Sequence, residues 1–349
     1  MQTQAKAKDT LDTLWVPVVF HLIASDSAGW LPAYRIGDQL RALNRDFRPA
    51  RIQFYLPRFG PGGGPTCGVT WTLSPLAQHD WTYQEDTLKK LLYWPTDSFL
   101  NIWVVESMTL NTIGYARALG DTVGMPGMVL VTSVVGDQRD MQAPFDWGRT
   151  AVHEMGHVFS LYHPFEGGCV GTTPQTCASE GDEICDTPPQ RNPTYGCPTP
   201  IPNTCTETPQ DLPDPIHNLM GYVDDSCMYE FTSLQIDRMR AFLSTFGAAL
   251  ISPENAQARG RQALVSEDCA AITALSPSPE PSGFRVRRFP WGIAIEGEQN
   301  CGYRLYDVWG RLCHWSSSCE VPMEGLPAGI YLLQVGPHTA PRYMRFLWP

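Results

Sequence analysis

The sequence predicts an α/β domain with its functional helix at the back, an irregular cysteine-rich lower half, and a small all-β sandwich at the C-terminus. Three observations carry this. Apolar, β-branched runs alternate with segments of helical period up to position 158, the pattern of α/β layering. Six cysteines crowd into 169–227, among loop residues. A run of alternating prolines at 276–283 separates all of this from a tail that alternates and turns like β-structure.

Residues 14–24 are β-branched and apolar, hence a buried strand, and His21 within it reads as a core histidine. Residues 35–47 place Ile36, Leu40, Leu43 and Phe47 at helical spacing. Strands are expected at 52–56, 99–105 and 127–135, with a short helix at 85–93. The glycine-rich run at 60–65 is a loop, and no strand–helix frame gives it a phosphate role. A helix at 147–158 ends this half. Residues 164–216 then carry 11 prolines and five cysteines. A loop this long in a compact domain needs ties, and disulfides or ions would supply them. Residues 231–247 form a helix capped by Thr232 or Ser233 and ended by Gly247. The expected organisation is a disordered remnant at 1–13 and a main domain at 14–250, divided at 163/164. A helical or linker segment at 251–283 and the sandwich at 284–349 follow, with its clearest strands within 303–312 and 326–335.

With 349 residues, 43% hydrophobic and 17% charged, the chain is an ordinary globular protein of about two domains. A formal net charge of -11 argues against nucleic acid as a partner. No stretch approaches a membrane span. The polar start has no signal-peptide core, so the protein is either cytosolic or a processed mature form. The cysteines decide. There are 11, without a single C-x-x-C pair, so a disulfide framework is favoured over a structural zinc site, and with it a secreted or surface-attached protein. The odd total leaves at least one thiol free or paired outside the chain.

The chemistry concentrates at 148–163. His153-Glu154-x-x-His157 puts two imidazoles on one face of a helix, and His163 follows six positions on. Three neutral imidazoles suit Zn2+, with water in the fourth position. Glu154, one step round the helix, is placed to take that water's proton and pass it to a leaving amine. An H-E-x-x-H alone can be a polar helix face; the third histidine at this spacing favours the metal site.

The spacing, with 17–23, 43–47, 100–104, Gly114-Tyr115-Ala116, 148–150, Leu161-Tyr162-His163-Pro164-Phe165, Asn218-x-Met220-x-Tyr222 and Phe231-Thr232-x-x-Gln235, resembles the pappalysin family of metzincin proteases over about residues 14–250. The resemblance implies a secreted zinc endopeptidase with a cleft between two subdomains, acting on protein or peptide substrates. It makes His153, His157 and His163 the zinc ligands, Glu154 the base, Met220 the floor beneath the metal, and Tyr222 a stabiliser of the oxyanion. It implies Ca2+ in the loop after the zinc motif, at Asp182, Asp186 and Thr187. It places Asp225 and Ser226 where relatives set substrate specificity; Ser226 stands where an aspartate often accompanies a preference for basic residues. It suggests the bridges Cys177–Cys205, Cys197–Cys227 and Cys169–Cys185. Residues 284–349 resemble a type IX secretion sorting domain, which implies contact with secretion machinery. Ser160 departs from the family's glycine, a position that turns the chain after the helix. The rival readings are therefore a metal-holding binding protein weakened by Ser160, and a structural zinc module. Intact Glu154 argues against both, because binding alone does not need it.

Overall fold

A computed structural model of the chain describes residues 12–261 apart from 27, 28 and 139, and then 285–289, 292–296, 302–307, 312–323, 326, 329–335 and 342–348. The first strand, β1 (Leu14–Ala24), is buried along almost its whole length and organises the main sheet. After α1 (Ala33–Asp46), β2 (Ile52–Tyr55) pairs in parallel with the first half of β1, and β3 (Val69–Leu73) with its second half. The short β4 (Gln78–His79) and α2 (Glu85–Leu91) lead to β5 (Leu100–Val105), which pairs in parallel with the other side of β1. Next come β6 (Ser107–Met108), β7 (Gly114–Arg117) and β8 (Gly127–Val131). β8 extends the parallel sheet beside β5, and β7 runs antiparallel at its edge. Helix α3 (Arg149–Val158) packs on β7 and β8.

His21 is the expected core histidine. Its ring nitrogens meet Thr70 Oγ1 and Asn101 Oδ1, both at 2.8 Å, and burial lowers its pKa to about 4. The expected strand at 127–135 stops at Val131 and passes into a tight turn over Thr132–Val134. Here Arg35 takes the carbonyls of Val135 (2.8 Å) and Thr132 (3.0 Å) that a neighbouring strand would otherwise use. Four-residue β7 reads in the sequence as a motif rather than a strand, since Gly-Tyr-Ala-Arg shows no apolar alternation.

Beyond α3 the chain is irregular until α4 (Ser233–Phe246) and α5 (Pro253–Ala258). Helix α4 opens on a full capping box, Thr232 with Gln235, and closes at Gly247. Disulfides tie the loops, as expected, but with two exchanged pairings. Cys197–Cys227 forms; Cys169 joins Cys205 and Cys177 joins Cys185, in place of 177–205 and 169–185. Cys177 and Cys185 flank a single tight loop, and their Cα atoms lie 4.9 Å apart, within bridging range. Cys67 and Cys319 are also disulfide-bonded.

In the C-terminal part, β9 (Arg285–Phe289), β10 (Gly292–Glu296) and β13 (Glu320–Pro322) form one antiparallel sheet. β11 (Tyr303–Asp307), β12 (Leu312–Ser316), β14 (Gly329–Val335) and β15 (Arg342–Trp348) form another. Ile293, Ile295 and Val321 from the first share a buried cluster with Leu305, Tyr331 and Leu333 from the second. The core of the main domain is a separate cluster, running from Val16 to Leu250. The expected linker at 276–283 lies outside the described residues, as does the expected remnant at 1–13 up to residue 11.

Candidate active site

Helix α3 is short, and both its ends are fixed by specific groups. At its start Gly148 has φ 70, and a Cβ there would collide with the Gly136 carbonyl, so glycine is required. The N–H groups of Trp147 and Arg149 donate to Asp225 Oδ2 at 2.9 and 3.2 Å. Arg149 in turn pairs with Asp46 at 3.2 Å and donates to the Asp225 carbonyl. Asp225, which the resemblance places among the specificity residues, thus lies against the start of the helix. Its exposure is 0%, and it serves as an anion at a helix N-terminus. Burial raises its pKa to about 6. Ser226, beside it, is exposed, with Oγ 3.6 Å from Cys197 Sγ.

At the far end the Ser160 N–H reaches the His157 carbonyl and the Leu161 N–H the Gly156 carbonyl, a Schellman closure. Ser160 therefore takes the left-handed conformation, φ 71, at a cost of about 1 kcal/mol relative to glycine. Its hydroxyl accepts a hydrogen bond from Arg238 at 3.4 Å. The bend returns His163 beneath the helix.

There the three histidines converge. The Nε2 atoms of His153, His157 and His163 form a triangle with edges of 3.1, 3.0 and 3.2 Å. His153 Nδ1 donates to the Leu219 carbonyl (3.0 Å) and His157 Nδ1 to the Leu161 carbonyl (2.7 Å). Those bonds place the protons of His153 and His157 on Nδ1 and turn their Nε2 lone pairs inward. With His163 Nε2 they make a three-imidazole donor set that fits zinc. Burial lowers all three pKa values, His163 to about 3, so the rings are neutral, as ligation requires. Among the described residues this is the one group of histidine, cysteine and carboxylate atoms arranged to hold a metal.

Met220 lies fully buried under the helix, and a Cβ on Gly156 would strike its sulfur. The glycine inside the motif thus lets the floor come close. Tyr222 is 38% exposed, with its ring 5.5 Å from His153 and 5.0 Å from His163. Burial pushes its hydroxyl to about 12, so at neutral pH it is a donor. Glu154 is 7% exposed, and burial alone raises its pKa to about 8. A nearby cation would pull that value back down. Phe165, stacked on His163 at 4.6 Å, and Tyr195, 6.2 Å from Tyr222, extend an aromatic wall, of which the sequence motif at 161–165 marks Phe165 and none marks Tyr195.

Of the residues expected to hold calcium, Asp186 lies close enough to Asp182 to interact electrostatically, and its Oδ2 accepts from the Leu234 N–H at the start of α4 (2.9 Å). Asp182 Oδ1 accepts from the Ile184 N–H at 3.1 Å, while Asp182 Oδ2 and Thr187 Oγ1 are buried without a hydrogen-bond partner.

A parallel sheet with an antiparallel edge, a short helix carrying two histidines, a turn back to a third, and a methionine floor define a metallopeptidase of the metzincin type. The comparisons with known proteins agree. The profile of peptidase family M43, described as pregnancy-associated plasma protein-A, matches residues 85–244. An extracellular metalloprotease of Pyricularia oryzae is 34% identical over 258 residues, spanning 71% of this chain and 82% of that one. One from Verticillium alfalfae is 34% identical over 244 residues, spanning 68% and 78%. Mature mirolysin of Tannerella forsythia, solved with a cleaved peptide, superposes with a TM-score of 0.62 at 29% identity, covering 71% of this chain and 99% of that one. The chain belongs to the pappalysin family of metalloendopeptidases.

Proposed function

We propose that the protein is a secreted zinc endopeptidase in which Glu154 acts as general base and Tyr222 as oxyanion donor. The observation that carries this is the Nε2 triangle of His153, His157 and His163, whose edges of 3.0, 3.1 and 3.2 Å bring three imidazole nitrogens to one point. When bound, zinc supplies Lewis-acid chemistry: it acidifies water and polarises a carbonyl oxygen. Glu154 accepts a proton from the attacking water and returns it to the leaving amine as the C–N bond breaks. The Tyr222 hydroxyl donates to the oxygen that gains charge. The low exposure of Glu154 keeps its carboxyl poorly solvated, which makes it a stronger base toward a water held nearby.

The names of the relatives as extracellular metalloproteases agree with the disulfide framework in placing the protein outside the cell. No helix among the described residues is long and apolar enough to cross a membrane. Ser160 takes the turn conformation usually given to glycine and still delivers His163 to the triangle, which supports activity over the reading of a weakened binding protein. The separate cluster at 293–335 supports a C-terminal unit that serves export or attachment rather than catalysis. The test is hydrolysis of casein and of a peptide library with and without a zinc chelator. Activity should vanish with the chelator and return with added zinc.

A further inference from the structure

Glu154 is held in an unusual way. Burial alone raises the pKa of its carboxyl, and the backbone of β7 bounds it on one side. The packing partner is the first residue of the edge strand β7. A Cβ built on Gly114 would stand 2.9 Å from Glu154 Oε1, 3.0 Å from its Cγ and 3.2 Å from Leu130 Cδ2. The first contact is closer than real Cβ atoms come and the other two are tight, so the Glu154 side chain would have to shift. Gly114 does not have a positive φ, so its backbone does not itself require glycine. What requires it is the space occupied by the carboxyl.

We propose that Gly114 is a positioning residue for the base: its bare Cα is the seat on which the Glu154 carboxyl rests. This rests on the reading of Glu154 as the base. A methyl group at 114 would push the carboxyl off its seat without touching the three histidines or the Met220 floor. Because β7 is an edge strand paired with β8 alone, the substitution leaves its outer backbone groups in place.

The test is Gly114→Ala in the full chain, assayed for metal content and for kcat and KM on a library-derived peptide, with Glu154→Ala and Glu154→Asp as companions. The expected result is full zinc content, KM within about twofold, and kcat at least about tenfold lower, as for loss of a proton-transfer group. Aspartate is one methylene shorter and vacates the seat. Adding Gly114→Ala to Glu154→Asp should therefore cost less than about twofold, the non-additivity of groups in contact. If Gly114→Ala fails to fold, the double variant should fold, because the collision is gone. A wild-type kcat, a rise in KM alone, an equal loss in the Glu154→Asp background, or a double variant that also fails to fold would each overturn the proposal. If Glu154→Ala itself kept its activity, the general-base reading would fall instead.

Discussion

Asp225 gives the sharpest test of how the catalytic helix is held. Replacing it with alanine strands two donors, the N–H groups of Trp147 and Arg149, which now reach Oδ2 at 2.9 and 3.2 Å. Each buried donor left unpaired costs about 1–3 kcal/mol. Trp147 is partly exposed, so its share falls at the low end. At pH 5, where a carboxyl held at about 6 is mostly protonated, little charge-burial cost is relieved by the deletion. The net loss should be about 2–4 kcal/mol. For a domain of this size that lowers Tm by roughly 6–12 °C. Asp225→Asn keeps an acceptor and separates charge from hydrogen bonding. The folded state holds this proton more tightly than the unfolded chain, about 6 against 3.8. The contribution of Asp225 is therefore most favourable below about pH 4 and is lost as pH rises to about 6, by roughly 3 kcal/mol. The asparagine variant lacks this slope. The difference between wild type and variant isolates it from Asp182, which burial holds at about 7. Calorimetry from pH 4 to 7 measures both effects. If Asp225→Ala melted with the wild type at pH 5 but changed the residue preferred after the cleaved bond, Asp225 would be a specificity residue and not the anchor of the helix.

Ser160→Gly relieves the left-handed strain and loses only the long 3.4 Å bond from Arg238, so stability should rise by about 0.5–1 kcal/mol with activity unchanged or higher; a large loss of activity would give the serine a task of its own. Non-reducing peptide mapping should recover 169–205, 177–185 and 197–227. Recovery of 177–205 would restore the pairing suggested by relatives. Gly156→Ala should displace Met220 and weaken zinc binding, read as a shift in the chelator concentration that inactivates the enzyme; an unchanged midpoint would show the floor to be slack. Cutting the chain after residue 275 should leave zinc content and turnover intact, because the core from Val16 to Leu250 is a cluster of its own. Loss of either would join the two parts into one unit.

The metal site is legible in the sequence because its parts are local: His153, Glu154 and His157 share one helix, and His163 follows within a single turn of chain. The buried run of β1 and the capping box at Thr232 and Gln235 are legible for the same reason. What holds the helix is not. Asp225 reaches across 76 residues to Arg149, and nothing near either residue marks the pair. Disulfide pairing is likewise set by distance in space, and six cysteines in one loop region allow 15 connectivities. Strand β7 shows in the sequence as the motif Gly114-Tyr115-Ala116 and not as a strand, because four residues without apolar alternation leave no strand pattern.

In the proposed mechanism, moving the proton and holding the metal are separate tasks, the first given to Glu154 and the second to the three histidines. The most direct measurement of that division is turnover of a cleavable peptide by purified Glu154→Ala, with zinc counted in the same sample by elemental analysis. The expected result is the wild-type zinc content and a loss of turnover of about 10²–10⁴-fold. Turnover near the wild-type rate with zinc in place would contradict it.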